Sequence, residues 1–169
     1  MKLLIDANII LDVLGKRDPH YKHSAIIWKL CETMKATGYI SVLTFMNIVY
    51  ILRKQLTPKK IEETYKALSL IFTFEDLTDA DIKNALTIGL PYLEDCVQMF
   101  TAQRVKADFI ITRNVKDFMN ISSISEIPSN LNFRQLKINN SESWNQQTLK
   151  SLTEQIELQK GITEFEKRG

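Results

Sequence analysis

An α/β fold built on a parallel sheet is the class this sequence predicts, and two observations predict it. Short apolar, β-rich runs alternate with longer stretches of helical periodicity, the pattern of successive βαβ units. Two of those runs, at 2–5 and 109–112, read as buried strands that stop at a polar residue. In an open parallel sheet ligands bind outside the carboxyl ends of the strands, so a carboxylate placed there faces a crevice rather than the core.

The elements follow in order. The first strand, 2–5, leads into a short helix over 8–14 that Gly15 ends. The next segment, 21–37, has apolar residues at Ala25, Ile26, Ile27, Trp28 and Leu30, which predicts a mostly buried helix closed by Gly38. A second strand is expected at 39–43, after which Thr44 caps a helix containing Ile48, Val49 and Leu52. Thr57-Pro58 is a strong helix start, an N-cap followed by Pro at the first helical position. That helix runs to about Leu68, and a third strand lies near 70–74. Thr78 caps the following helix, with Asp79 and Asp81 in its first turn, and Gly89-Leu90-Pro91 breaks it. A helix over 94–106 precedes the fourth strand at 109–112, and a short fifth strand is expected at 134–138.

After Asn139 the composition shifts to Ser, Asn, Gln, Lys and Glu, although Leu149, Leu152 and Ile156 keep a helical stripe. The expected organisation is one domain at 1–138 and a C-terminal helical tail at 139–169. That tail docks on its own domain or serves a partner, and a homodimer through it or through the amphipathic helix around 61–68 is an open alternative.

At 169 residues the chain is long enough for one substantial core. Its net charge of +2 lacks the basic footprint of a DNA-coating protein, but an acidic centre among scattered cations would give the same balance. Cys31 and Cys96 lie far apart and read as buried thiols in a reducing compartment. Asp6, Asn8 and Asp12 interrupt the first apolar stretch, which argues against a signal peptide. No run reaches the length of a membrane span, so a cytoplasmic location without a membrane partner is expected.

Taken singly, the polar residues at the ends of apolar runs have ordinary explanations. Asp6 can cap the helix after it, Asp95 can stabilise the start of its own helix, and Asp117 can pair with Arg113 or Lys116 on the surface. Their convergence is harder to explain that way. Like charges about 5 Å apart cost roughly 3 kcal/mol per pair at an effective dielectric near 20, and a divalent cation with oxygen ligands is the simplest compensation. His20 and His23 have a metal-like spacing, but without a third ligand nearby zinc is not expected.

With those residues in view, the sequence resembles a PIN domain. LLIDANIILDVL is similar to the family's first motif, SVLTFMNIVYIL to the second, YLEDCVQMFTAQRVKADFIITRN to the third and RNVKDF to the fourth. The resemblance covers roughly residues 1–138 and implies a three-layer α/β/α PIN-like fold with a central parallel sheet. It also implies an Mg²⁺- or Mn²⁺-dependent ribonuclease acting on single-stranded RNA, of the kind found as toxins paired with an antitoxin protein. By position, Asp6, Asp95 and Asp117 match the catalytic, metal-binding acids, and Thr112 and Asn114 match polar residues lining the same pocket. Asn47 stands where the second motif usually has Glu; its amide can coordinate a metal but brings no charge and no general base, which leaves reduced activity, an altered metal preference or a catalytically silent site as alternatives. Glu94 adjoins Asp95 and is a reserve pocket-lining ligand, expected to point elsewhere because adjacent helical residues do not share a face.

Arg53, Lys54, Arg104, Lys106, Arg113 and Lys116 are candidate phosphate contacts, with Arg113 and Lys116 preferred for RNA, and Tyr50 or Phe118 could stack a base. The competing reading is a PIN-like module that binds RNA or protein without cutting. A phosphohydrolase ranks far behind, because the second Asp it needs is Asn8 here.

Overall fold

The computed structural model describes residues 1–122 and 137–139. The five strands among them are β1 (Lys2–Ile5), β2 (Thr37–Ser41), β3 (Phe72–Glu75), β4 (Phe109–Ile111) and β5 (Lys137–Asn139). The helices are α1 (Ala7–Leu14), α2 (Tyr21–Glu32), α3 (Val42–Leu52), α4 (Pro58–Ser69), α5 (Asp79–Ile88), α6 (Leu93–Arg104) and α7 (Val115–Ser122), with a 3₁₀ turn at Leu90–Tyr92.

The strands form one parallel sheet in the order β3-β2-β1-β4-β5, with Leu4 paired to Tyr39 on one side and to Ile110 on the other. From β1 the chain builds outward through β2 and β3, then returns across the sheet to place β4 on the other edge of β1. The strand order therefore reverses between β1 and β4, and a crevice opens where their carboxyl ends diverge.

Strand periodicity assigns the two helical layers. Leu3, Ile5, Ile40 and Ile111 face one core with Ile9, Ile10, Ile27, Ile48 and Leu68, contributed by α1 to α4. Leu4 and Ile110 face the opposite core with Ala85, Val97, Met99, Phe100, Phe118 and Ile121, contributed by α5 to α7. Three layers result, as expected.

Several boundaries move. Gly38 lies inside β2 rather than closing a helix. The turn after α2 is made by Met34, whose φ of 56° places it in the left-handed region. The cap of α3 is Ser41, which accepts from the Thr44 backbone N–H at 2.9 Å, so the helix starts earlier than a Thr44 cap implies. Thr57 and Thr78 cap as expected, the latter in a full capping box with Asp81. The helix α7 has no counterpart in the sequence reading. The fifth strand lies at Lys137–Asn139, and the remainder of the expected tail, with its Leu149, Leu152 and Ile156 stripe, falls outside the described residues. Cys31 and Cys96 are buried free thiols, and burial pushes Cys31 up to about 12. Among the described residues no helix is long and apolar enough to cross a membrane.

Candidate active site

The crevice is an open pocket of about 640 Å³ whose lining includes Asp6, Asn8, Arg17, Asn47, Tyr50, Glu94, Asp95, Arg113 and Asn114. Its floor is the junction of β1 and β4. The Asp6 backbone N–H donates to the Ile111 carbonyl at 3.0 Å, which locks the two strand ends together. Asp6 is also the N-cap of α1, with Oδ1 accepting from the Ala7 backbone N–H at 2.6 Å. Capping and function are not alternatives here, because Oδ2 faces other polar groups. It accepts from Thr112 Oγ1 at 2.6 Å and from Asn8 Nδ2 at 2.5 Å.

Asn8 ties the floor together, and the sequence reading passed over it. Besides Asp6, its amide contacts Thr112 Oγ1 at 3.1 Å, and its carbonyl oxygen accepts from the Arg113 backbone N–H at 3.2 Å. Thr112 Oγ1 in turn accepts from the Asn114 backbone N–H at 2.9 Å, shaping the turn into α7. Asn114 Nδ2 donates to Asp117 Oδ2 at 2.7 Å, so Asp117 is held at the rim by an amide rather than by Arg113 or Lys116.

The opposite wall is the start of α6, whose first turn holds Glu94 and Asp95 near the positive end of the helix. Both line the pocket, so the expectation that Glu94 points elsewhere is corrected. The helix aims its end at the crevice, and side chains of a terminal turn reach forward on either side of the axis. Asn47, on α3, donates through Nδ2 to Glu94 Oε1.

Electrostatics follow from this crowding. Burial, then the charges of Asp6, Glu94 and Asp117, push Asp95 up to about 7. Burial also raises Asp6, against the hydrogen bonds from Thr112 and Ala7, the Arg113 charge and Asn8. Glu94 is raised by burial and by Asp6, and its bond from Asn47 works the other way. The pocket thus concentrates negative charge that its own cations only partly offset.

Among the candidate cations, Arg113 lines the pocket and Lys116 is exposed outside it. Arg17, also missed in the sequence, joins Arg113 in the lining. Arg104 and Lys106 are not at the crevice. Arg104 is held by Glu75 at 3.0 Å and Asp81 at 3.3 Å, and both cations lie in a separate depression with Lys2 and Tyr39. Phe118 is fully buried in the core and has no face to offer a base. Tyr50 is 64% exposed at the pocket edge, with the Arg53 guanidinium 4.1 Å from its ring centre.

Among the described residues no three acidic, His or Cys side chains are grouped tightly enough to cage an ion unaided. The donor set still suits Mg²⁺ or Mn²⁺, which bind through one or two carboxylates and keep several waters. An all-oxygen set with raised acid pKa values is the environment such an ion stabilises.

A parallel sheet with a carboxylate-lined pocket at its switch point defines an α/β domain whose site lies outside the carboxyl ends of its strands. The chain belongs to the PIN domain family, whose model matches residues 2–116. No curated protein matches it. Among solved structures, it is similar to a toxin–antitoxin complex from Klebsiella pneumoniae (25% identity, TM-score 0.52, covering 79% of this chain and 94% of that one). It is also similar to VapC20 of Mycobacterium tuberculosis, a Sarcin-Ricin loop cleaving toxin (10% identity, TM-score 0.57, covering 75% and 99%). A third is FitAcB from Neisseria gonorrhoeae (16% identity, TM-score 0.56, covering 83% and 98%). At such identities the last two speak to the fold.

Proposed function

We propose that the chain is a divalent-metal-dependent endoribonuclease that hydrolyses single-stranded RNA, and that it is the toxin of a toxin–antitoxin pair. The observation that carries this reading is that Asp6 and Asp95 line one pocket at the sheet's switch point, with Asp95 pushed up to about 7. Family membership supplies the reaction class and RNA as the substrate class, and the likeness to the Klebsiella complex supports an antitoxin as partner.

Asp6 at the floor and Asp95 on the α6 wall are the principal acids, and Asp117 acts from the rim. Bound Mg²⁺ or Mn²⁺ would neutralise these carboxylates and the scissile phosphate together. Thr112 and Asn8 fix the Asp6 carboxylate so that Oδ2 does not rotate away. Arg113 and Arg17 share the pocket lining with the acids and would meet a phosphodiester backbone there, and Lys116 extends the positive edge. Tyr50 offers an exposed ring for stacking an unpaired base. The outer face of α3 exposes Val42, Met46 and Tyr50 at successive four-residue steps, an apolar stripe suited to an antitoxin segment.

The test is cleavage of a fluorescent single-stranded RNA by the full chain with Mn²⁺, Mg²⁺ or EDTA, beside Asp95→Asn. Metal-dependent cleavage that falls on the order of 10²-fold or more in the variant is expected. Undiminished cleavage by Asp95→Asn, or cleavage indifferent to EDTA, would overturn the assignment.

A further inference from the structure

Asn47 and Glu94 approach the pocket from different helices and meet at its edge. Asn47 sits on α3, Glu94 on the first turn of α6, and the Asn47 amide donates directly to Glu94 Oε1. An amide beside a carboxylate does two things that a second acid cannot. It removes a like-charge contact, and it fixes one carboxylate oxygen while leaving the other available. Glu94 shares the pocket lining with Asp6 and Asp95 and responds electrostatically to Asp6. An exposed glutamate with no role would extend into solvent, at the gain of its side-chain entropy. This one is held toward the acids instead.

We infer that Glu94 is a working carboxylate of the site, a ligand to its divalent ion either directly or through a bound water. Asn47 is then the positioning residue that aims it. The inference rests on the metal-dependent reading above and adds one acid to it, delivered from α6. Because the ends of the two side chains meet, the same carboxylate can be presented from either helix, which gives the proposal a sharp test.

The experiment is titration of the full chain with MnCl₂ alone, read by the electron paramagnetic resonance signal of free Mn²⁺, with RNA cleavage measured in parallel. The variants are Glu94→Gln, Asp95→Asn and the double exchange Asn47→Glu with Glu94→Gln. Glu94 is exposed, so its replacement leaves the cores untouched, and thermal melts verify the fold of each variant. Expected is a loss of Mn²⁺ affinity of about tenfold or more in Glu94→Gln. The double exchange should recover to within about threefold of wild type. Wild-type affinity in Glu94→Gln, with affinity lost in Asp95→Asn, would overturn the role of Glu94 and leave the nuclease reading standing. Loss in Glu94→Gln without recovery in the double exchange would overturn the pairing with Asn47. A wild-type chain that binds no Mn²⁺ would overturn both this inference and the reading beneath it.

Discussion

Arg113 Nε stands 3.2 Å from Oδ2 of Asp12, a carboxylate with no exposed surface. The pair joins the turn after β4 to the middle of α1, and it decides where the Arg113 guanidinium sits relative to Asp6. Ser24 Oγ adds a hydrogen bond to the same Asp12 oxygen at 3.0 Å, while Oδ1 and Arg113 Nε have no hydrogen-bond partner among the described residues, so the pair is a charge contact. Among the described residues, Arg113 is the one cation paired with this buried carboxylate. Removing one partner of such a pair costs more than removing both, because the survivor is left buried and uncompensated.

Arg113→Ala should accordingly destabilise the fold by roughly 3–5 kcal/mol, and Asp12→Asn added to it should restore much of that loss. Urea unfolding of the two single variants and the double variant measures the coupling. Simple additivity would show that Asp12 and Arg113 do not act as a pair. On the proposed role of Arg113 at the RNA backbone, cleavage by the double variant should stay low in either case.

The Asn8 amide bridges Asp6, Thr112 and the Arg113 backbone, so Asn8→Ala frees three groups at once. Expected is a fall in kcat for RNA cleavage of about 10- to 100-fold, the range for residues that orient metal ligands. The stability loss should be only about 1 kcal/mol, because the site is partly solvated. A large fall in stability with unchanged kcat would make Asn8 a structural residue alone.

The parts of this site that were legible in the sequence share one property. Asp6, Thr112 and Asp95 stand at the ends of apolar runs, where chain pattern and site position coincide. Asn8, Asp12 and Arg17 have no such marker. Each looks like an ordinary polar residue of a short helix or loop, and its role arises only when β4 and α2 are brought against α1. The expectation for Glu94 fails because adjacent residues diverge on a mid-helix surface but not in the first turn of α6, where both line the pocket. Gly38 follows an amphipathic run and so imitates a helix terminator, while Met34, which makes the left-handed turn, carries no compositional signal. The helix α7 carries no separate signal, because its polar start coincides with the RNVKDF motif. Layer order and sheet class survived these errors, since they depend on the alternation of runs rather than on boundaries.

Stability should depend on pH in a direction set by Asp95. An acid whose pKa is higher folded than unfolded binds protons on folding, so its favourable contribution is full at low pH and fades as pH rises. For Asp95 the window runs from its ordinary 3.8 to about 7. Asp6 and Glu94 are raised too and add slopes of the same sign. In EDTA, the melting temperature of the wild type should fall across that window, and Asp95→Asn should show a shallower fall and a higher melting temperature at pH 8. Saturating Mn²⁺ should reverse the order at pH 8, because the ion stabilises the ionised acids it binds. Parallel melting profiles for the two proteins in EDTA would refute the claim that acid crowding strains the metal-free pocket.

Gly38 holds β2 close to α2 and β3. A Cβ added there would stand 2.6 Å from Phe72 Cδ1 and 2.7 Å from Cys31 Sγ, and both neighbours are buried. Phe72 is further constrained by an edge-to-face contact with Trp28, ring centres 5.3 Å apart, so it cannot swing aside without disturbing a second aromatic. Overpacking of this kind costs about 1–3 kcal/mol. Gly38→Ala should lose that much in urea unfolding, and Cys31→Ala in the same chain should return part of it by clearing the sulfur. The clash lies in the core beneath α2, away from the acids, so Mn²⁺ affinity at low temperature should stay near wild type. A Gly38→Ala protein as stable as the parent would mean that the position tolerates a side chain and that packing does not select glycine there.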